Sequence, residues 1–130
     1  MVASADAQSS CNVPDDHGSI QLAIDDSSCD TINIDAGTFY ETLAITRSVT
    51  LQGHGAESTT VDGYSSDSVF TIGDGQNAIT VTLSSLSIVN GSSGSGGGVN
   101  TALAAITITD CIISENWVFG RGGAIYIDSG

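Results

Sequence analysis

The sequence predicts an all-β solenoid, in which short strands stack in coils, with one short helix at the N-terminal end. Residues 78–99 and 105–125 repeat one pattern. Matched residues such as Val81 and Ile106 lie 25 positions apart, and one residue is gained before the second glycine-rich stretch. Self-similarity at a period of this size is typical of stacked repeat architectures. Apolar and polar residues alternate within each copy, which indicates strands. Many turns contain only one or two polar residues, too few for the long crossovers of a sandwich or barrel.

Residues that the repeat aligns are expected to stack in ladders from one coil to the next. The aligned apolar residues are predicted to point inward: Val81 with Ile106, Leu83 with Ile108, Leu86 with Cys111 and Ile88 with Ile113. Thr82 is predicted to lie beside Thr107 on the outer surface. Asn90 and Asn116 follow the apolar residues of each copy, where a side-chain amide can bond the backbone at a bend.

The domain boundaries follow from the change of pattern along the chain. Residues 1–18 are polar and rich in turn formers, which predicts a flexible N-terminal segment. Residues 19–130 are predicted to form the solenoid, beginning with a capping helix at about 19–27. Ile20, Ala23 and Ile24 share one face of this helix, and Asp16 or Ser19 could cap its start.

Short strands are predicted between turn residues over the rest of the chain. Before the repeat they fall at 31–34, 38–45, 48–52, 59–61 and 69–72. The apolar runs of each repeat copy supply the later strands. Residues 117–121 are predicted to form a short loop between the second copy's strands and its glycines.

The charge balance excludes several classes of function. The 130-residue chain carries 15 acidic residues against two basic ones, Arg47 and Arg121, and its formal net charge is −13. A chain that cannot neutralise phosphates should not bind nucleic acid, and anionic membranes should repel it. No apolar run approaches the roughly 20 residues of a transmembrane helix, so membrane insertion is not expected.

An extracellular location is predicted from the polar, acidic composition and from the N-terminus. Residues 2–6 have the small-residue character of a signal-peptidase cleavage region, although an ordinary disordered tail would look similar. Cys11 and Cys29 flank the helical stretch, and a disulfide between them would contribute about 3 kcal/mol by restricting the unfolded chain. Cys111, at an inward position of the second copy, is predicted to be a small core residue.

Two segments resemble a known family. Residues 19–53 are similar to the N-terminal cap and first coils of right-handed parallel β-helices of the pectate-lyase-like superfamily. Residues 113–125 resemble the FxxN and GGAI repeats of polymorphic outer-membrane proteins, with Ile113 in the place of Phe. The resemblance covers about residues 19–127 and implies a right-handed coil in a secreted bacterial surface protein.

The resemblance does not extend to a catalytic set. Pectate-lyase-like catalysis would need carboxylates for Ca²⁺ and a basic residue, and Arg47 occupies a turn where the family often carries a basic residue for structural reasons. Arg121 lies in a loop. His17 and His54 lie in separate turns without metal-ligand spacing and are predicted to be solvated. No catalytic, cofactor-binding or metal-binding residue is therefore predicted.

A structural or adhesive, non-enzymatic role is the function that the sequence favours. The alternatives are a fragment of a carbohydrate-active β-helix enzyme and an ice-binding solenoid. Ice binding is suggested by the Thr-x-Thr pairs Thr80/Thr82 and Thr107/Thr109, although threonine is also a common outward strand residue.

The predicted interaction site is the strand at the C-terminal end, for which no capping segment is apparent. It comprises Gly123, Ala124, Ile125, Tyr126 and Ile127. Repeat proteins normally need a polar terminal cap, and an uncovered edge can add a strand from another chain. The expected partners are a second β-helix chain, docked end to end in a fibre, or surface glycans. The alternative is that the chain is a truncated piece of a longer β-helix.

Overall fold

A computed structural model describes residues 9–128, which form a parallel β-solenoid of about five turns. Every strand pairing among the described residues is parallel, and one short helix lies at the N-terminal end. The predicted fold class is therefore confirmed.

The strands are three to six residues long, as expected where turn residues interrupt short alternating runs. The elements in chain order are β1 (Ser10–Val13), α1 (Ile20–Asp25), β2 (Thr31–Ile34), β3 (Gly37–Tyr40), β4 (Leu43–Ile45), β5 (Val49–Gln52), β6 (Thr59–Asp62), β7 (Phe70–Ile72), β8 (Ile79–Ser84), β9 (Ser87–Val89), β10 (Ser92–Ser95), β11 (Val99–Ala102), β12 (Ala104–Thr109), β13 (Ile112–Ser114), β14 (Trp117–Arg121) and β15 (Ile125–Asp128).

Equivalent strands of successive coils form long sheets that run along the solenoid. The first sheet has the order β1-β2-β5-β8-β12, the second β3-β6-β9-β13 and the third β4-β7-β11-β15. A small fourth sheet pairs β10 with β14. The last coil therefore consists of β12, β13, β14 and β15, each with one neighbouring strand among the described residues.

The strand register confirms three of the four apolar ladders that the repeat predicts, and also the pair of Thr82 with Thr107; the pair of Leu86 with Cys111 is not part of a strand pairing. Ile106 pairs with Val81, Ile108 with Leu83 and Thr107 with Thr82, and Ile113 pairs with Ile88. The gained residue also appears, because Val99 pairs with Ile125, 26 positions later. Inward residues of the earlier coils fill the interior and are fully buried, including Leu51, Phe70 and Ile72.

The prediction of a flexible segment over residues 1–18 is wrong for its second half. Ser10–Val13 forms β1, which pairs with Thr31–Ile34 of β2. The alternation of Cys11 and Val13 as buried residues between exposed neighbours explains this strand. Residues 1–8, which include the proposed cleavage region, lie outside the described part of the chain.

The helix α1 closes the N-terminal end of the solenoid and is shorter than the predicted 19–27. Ser19 is its N-cap, and the Ser19 hydroxyl accepts a hydrogen bond from the N–H of Leu22. Ile20, Ala23 and Ile24 are buried as predicted. The helix contacts β1 and β2, the first two strands of the first sheet, and β4, the first strand of the third sheet. Such a short helix depends on this packing for its stability.

Two further interactions fix α1 to the first coils. The Glu41 carboxylate accepts hydrogen bonds from the N–H groups of Ile20, at 2.8 Å, and Gln21, at 3.0 Å. A disulfide joins Cys11 in β1 to Cys29, which confirms the predicted pairing. The N-terminal end is therefore closed by a covalently linked cap.

Candidate functional site

The first candidate site is the outer side of the last coil, which we call the terminal face. It carries the inward-pointing apolar side chains Ile106, Ile108, Ile113 and Ile125, which pack against the core but are only partly buried. The residues below them in the previous coil are 0% exposed: Val81, Leu83, Ile88 and Val99. The side chains of the last coil and those of the previous coil are in register and are all aliphatic. They differ in burial because no described coil covers the last coil.

An apolar hollow lies at the margin of the terminal face. It has a volume of about 320 Å³ and is lined by Ile79, Leu103, Ala104 and Ile127 among others. Ile127 pairs in register with the buried Thr101 of β11, yet its side chain is 57% exposed. This hollow gives the face a recess that an apolar side chain could fill.

The structure places the predicted interaction strand at this margin. Gly123 and Ala124 are exposed, Ile125 and Tyr126 are partly buried, and Ile127 is largely exposed. Ile125 and Ile127 belong to β15, whose one neighbour in the described chain is β11. Whether this edge binds another molecule stays a prediction.

An exposed aromatic pair on β14 is a feature that sequence reasoning missed. Trp117 and Phe119 are 63% and 76% exposed, and their rings meet edge to face at a centroid distance of 5.2 Å. The predicted loop is instead a strand, because Trp117 pairs with Ser92 and Arg121 with Ser95. The alternation of large residues at 117, 119 and 121 is the signal that could have revealed it.

Asn116 turns the chain into β14 and secures the last coil. Its amide Nδ2 donates to the carbonyl oxygen of Ile88 at 3.0 Å, and its Oδ1 accepts from the N–H of Gly91 at 2.7 Å. The predicted bond between an amide and the backbone is thus confirmed at Asn116. Asn90 differs, since its amide donates to the Asp62 carboxylate at 2.9 Å.

The second candidate site is the outer surface of the first sheet, which we call the hydroxyl face. Its residues form two ladders in register across five strands: Ser10, Thr31, Thr50, Thr82 and Thr107 in the first, and Asn12, Asn33, Gln52, Ser84 and Thr109 in the second. None of these residues is charged.

The two Thr-x-Thr pairs share one position in the register of the hydroxyl face. Thr82 lies beside Thr107, but Thr80 pairs with Ala105 and Thr109 with Ser84. The ladder of threonines extends instead toward the N-terminus, through coils whose spacing differs from that of the repeat. Ice binding by this surface stays a prediction.

A cluster near the cap brings together four side chains with metal-ligating atoms. Those of Cys11, His17, Asp26 and Cys29 all lie within 4.8 Å of one another. The two sulfurs are joined in the disulfide and are not thiolates, which is the form that binds metals. The remaining pair is His17 Nε2 and Asp26 Oδ2, 3.0 Å apart.

Both histidines make contacts that the prediction of solvated turn residues did not include. His17 pairs with Asp26, and His54 Nδ1 lies 3.0 Å from the carbonyl oxygen of Ile34. These bonds fix turns at the start of the solenoid, so the roles that the structure supports for the histidines are structural.

Hydrogen bonding lowers the pKa of two carboxyl groups. The pKa of Asp26 is lowered from its ordinary value chiefly by the hydroxyl and N–H of Ser28, with a smaller effect of His17. The pKa of Asp74 is lowered by the N–H groups of Asn77 and Gln76. Both carboxylates organise surface turns, because each accepts hydrogen bonds from N–H groups two or three positions further along the chain.

No helix in residues 9–128 is long and apolar enough to cross a membrane. No family model matches the sequence, and neither the curated proteins nor the solved structures contain a match.

Proposed function

We propose that this protein is a non-enzymatic extracellular structural or adhesive β-solenoid, and that its terminal face docks a second copy of the chain. The observation that carries the proposal is the partial exposure of Ile106, Ile108, Ile113 and Ile125 above fully buried counterparts. Each buried aliphatic side chain contributes roughly 1.5–3 kcal/mol relative to an exposed one. Covering the terminal face is therefore a substantial driving force for association.

The shape of the terminal face favours another solenoid as the occupant. The face presents the same apolar ladder that each earlier coil presents to its successor, and its four strands offer main-chain edges for strand addition. A partner that matches this face must present apolar ladders and strand edges of its own, and the end of a second solenoid presents both.

The closed cap favours contact between two terminal faces over a head-to-tail fibre. In a head-to-tail fibre, the terminal face of one molecule would dock on the N-terminal end of the next. The helix α1 and the disulfide between Cys11 and Cys29 occupy that end. A two-fold contact buries the same patch on both molecules and closes after two copies. The expected end-to-end assembly then becomes a dimer.

The distribution of charge supports this arrangement. Residues 9–74 contain eleven acidic residues and one basic residue, Arg47, whereas residues 75–128 contain three acidic residues and one basic residue, Arg121. Two terminal faces therefore approach each other with far less repulsion than two N-terminal ends would.

The extracellular part of the proposal is supported by the disulfide, since disulfides persist in oxidising compartments. The same proposal includes a relationship to the bacterial pectate-lyase-like β-helices and polymorphic outer-membrane proteins that the sequence resembles. The right-handedness of the coil stays a prediction, as does the alternative of a carbohydrate-active fragment.

The test is the mass of the full chain in solution, measured by size-exclusion chromatography with light scattering over a range of protein concentrations. We expect a dimer that dissociates on dilution. Ile108→Lys should give a monomer, because it places a charge in the apolar contact. Thr107→Lys, which adds the same charge on the outer side of the same strand, should remain dimeric.

Thermal unfolding of both variants checks that they are folded. A wild-type chain that is monomeric at every concentration would contradict the proposed function. Filaments in place of dimers would contradict contact between two terminal faces.

A further inference from the structure

The hydroxyl face carries an array of polar groups without hydrogen-bond partners among residues 9–128. The side chains of Thr31, Thr50 and Thr82 lie in one ladder, and no other described residue hydrogen-bonds to them. Gln52, in the adjacent ladder, is exposed, and its side chain likewise has no partner in the described part of the chain. Each hydroxyl can donate one hydrogen bond and accept two, and the amide can both donate and accept. This surface is therefore equipped to bind a ligand with many hydroxyl groups.

The array is concave where β1, β2, β5 and β8 lie side by side. A groove of about 620 Å³ crosses these strands, lined by Thr31, Thr50, Gln52, Thr80 and Thr82 among others. This volume is within the range of about 300–1,000 Å³ found for ligand sites. The hydroxyl groups repeat about every 4.8 Å along the groove, the distance between neighbouring strands.

The charges around the groove select the class of ligand. Asp30 is the charged residue among the described residues that line it, and none of these lining residues is basic. A uronate, sulfate or phosphate group would find no cation there and would be repelled by the net charge of −13. A neutral ligand avoids this repulsion, and the Asp30 carboxylate can accept hydrogen bonds from its hydroxyl groups.

We propose that this groove binds a segment of a neutral polysaccharide, without cleaving it. A sugar chain presents hydroxyl groups at a regular repeat, which suits a ladder of donors and acceptors in register. The ligand class differs from the acidic polysaccharides that a pectate-lyase-like enzyme acts on. The site lies on a side of the solenoid, so the proposal does not rest on assembly through the terminal face.

The test is titration of the ¹⁵N-labelled full chain with soluble neutral hexasaccharides: those of β-1,4-linked glucose, xylose, mannose and N-acetylglucosamine. We expect amide shifts at β2, β5 and β8 with at least one of them. The double variant Thr50→Val/Thr82→Val removes two hydroxyls and keeps the branched side-chain shape. It should weaken binding about tenfold or more, since an unmade hydrogen bond costs roughly a factor of ten.

The matched control is Thr60→Val/Thr71→Val, which makes the same change on outward positions of the other two large sheets. It should bind like the wild type. The proposal is overturned if none of the four sugars binds, if the control weakens binding as much as the groove variant, or if hexagalacturonate binds as well as the neutral sugars. Slowed ice growth that the groove variant abolishes, without sugar binding, would also overturn it and would assign the face to ice.

Discussion

Arg47 Nε lies 2.8 Å from the main-chain carbonyl oxygen of Ile24, in the last turn of α1. The Nη2 atom of the same guanidinium donates to the carbonyl oxygens of Asp26, at 2.9 Å, and Cys29, at 2.8 Å. A helix leaves its last carbonyl groups without partners, and here one side chain from the next coil bonds that of Ile24 and two carbonyl groups just beyond the helix. The structural role that the family resemblance suggested for Arg47 is thus the one that its contacts support.

The first prediction follows from these contacts. Arg47→Met should lower the free energy of unfolding by about 3 kcal/mol, because hydrogen bonds from a charged donor are lost and part-buried carbonyl groups are left unpaired. Urea unfolding followed by circular dichroism measures the change. Arg47→Lys should recover only part of the loss, since an ammonium group lacks the planar fork that reaches several acceptors.

Arg121→Met is the control for the charge. Arg121 is exposed on β14, so this variant should change the free energy of unfolding by no more than about 0.5 kcal/mol. Equal losses for Arg47→Met and Arg121→Met would mean that net charge, and not the hydrogen bonds to the end of α1, stabilises the cap.

The second prediction concerns pH and Asp26. Hydrogen bonds from Ser28 and His17 lower the pKa of Asp26 in the folded protein. A group with a depressed folded pKa contributes stability above its unfolded pKa and loses it as the pH falls through the folded value. The stability contributed by Asp26 should therefore be complete at pH 7, decline below about pH 3.9 and disappear at still lower pH.

Urea unfolding of the wild type and Asp26→Asn at pH 7 and at several values below pH 4 tests this. The difference between the two proteins should be largest at pH 7 and shrink with acid. Asp110→Asn, at an exposed turn, removes the same charge and serves as the reference for the general effect of net charge. A difference that is constant with pH would show that the Asp26 pKa is not lowered by folding.

The sequence predicts the last two coils far better than the first ones, and the register explains why. Residues of β8 and β12 pair at an offset of 25, as in Val81 with Ile106. In the earlier coils the offsets are unequal: Thr31 pairs with Thr50, and Thr50 with Thr82. Turns of different length produce these offsets, so no fixed period reveals the four-threonine ladder.

The candidate sites were predictable to different extents for a related reason. The interaction strand at 123–127 could be located because it ends the second repeat copy. The strand β14 was harder to locate, because the alternation at 117, 119 and 121 is its one local signal and its pairing partner β10 is a Gly/Ser segment with low intrinsic preference for strands. Pairing between the two coils stabilises the extended conformation of β10 and β14. The groove depends on the same long-range register, and its lining comes from four strands far apart in the sequence.

The third prediction concerns Asn116, which bridges the last two coils. Asn116→Ala should lower the free energy of unfolding by about 2 kcal/mol, because its bonds to Ile88 and Gly91 are part-buried and both backbone groups would lose their partner. Urea unfolding measures the loss. Asn100→Ala, at an outward position of β11 without a side-chain hydrogen bond to another described residue, should cost markedly less. Similar costs at the two positions would contradict a bridging role for Asn116.

The fourth prediction concerns two buried threonines with opposite environments. Thr101 Oγ1 is buried and has no hydrogen-bond partner among the described residues. Thr101→Val replaces this hydroxyl with a methyl group of similar size and should raise the free energy of unfolding by about 1 kcal/mol. Thr59 is equally buried, but its hydroxyl accepts from His54 N at 2.8 Å and donates to the carbonyl oxygen of Asp35 at 3.1 Å. Thr59→Val should therefore lower the free energy of unfolding by about 1–3 kcal/mol. Thermal and urea unfolding of both variants measure these changes, which should have opposite signs although the substitution is the same. A loss of stability in Thr101→Val would mean that the Thr101 hydroxyl has a hydrogen-bond partner in solution.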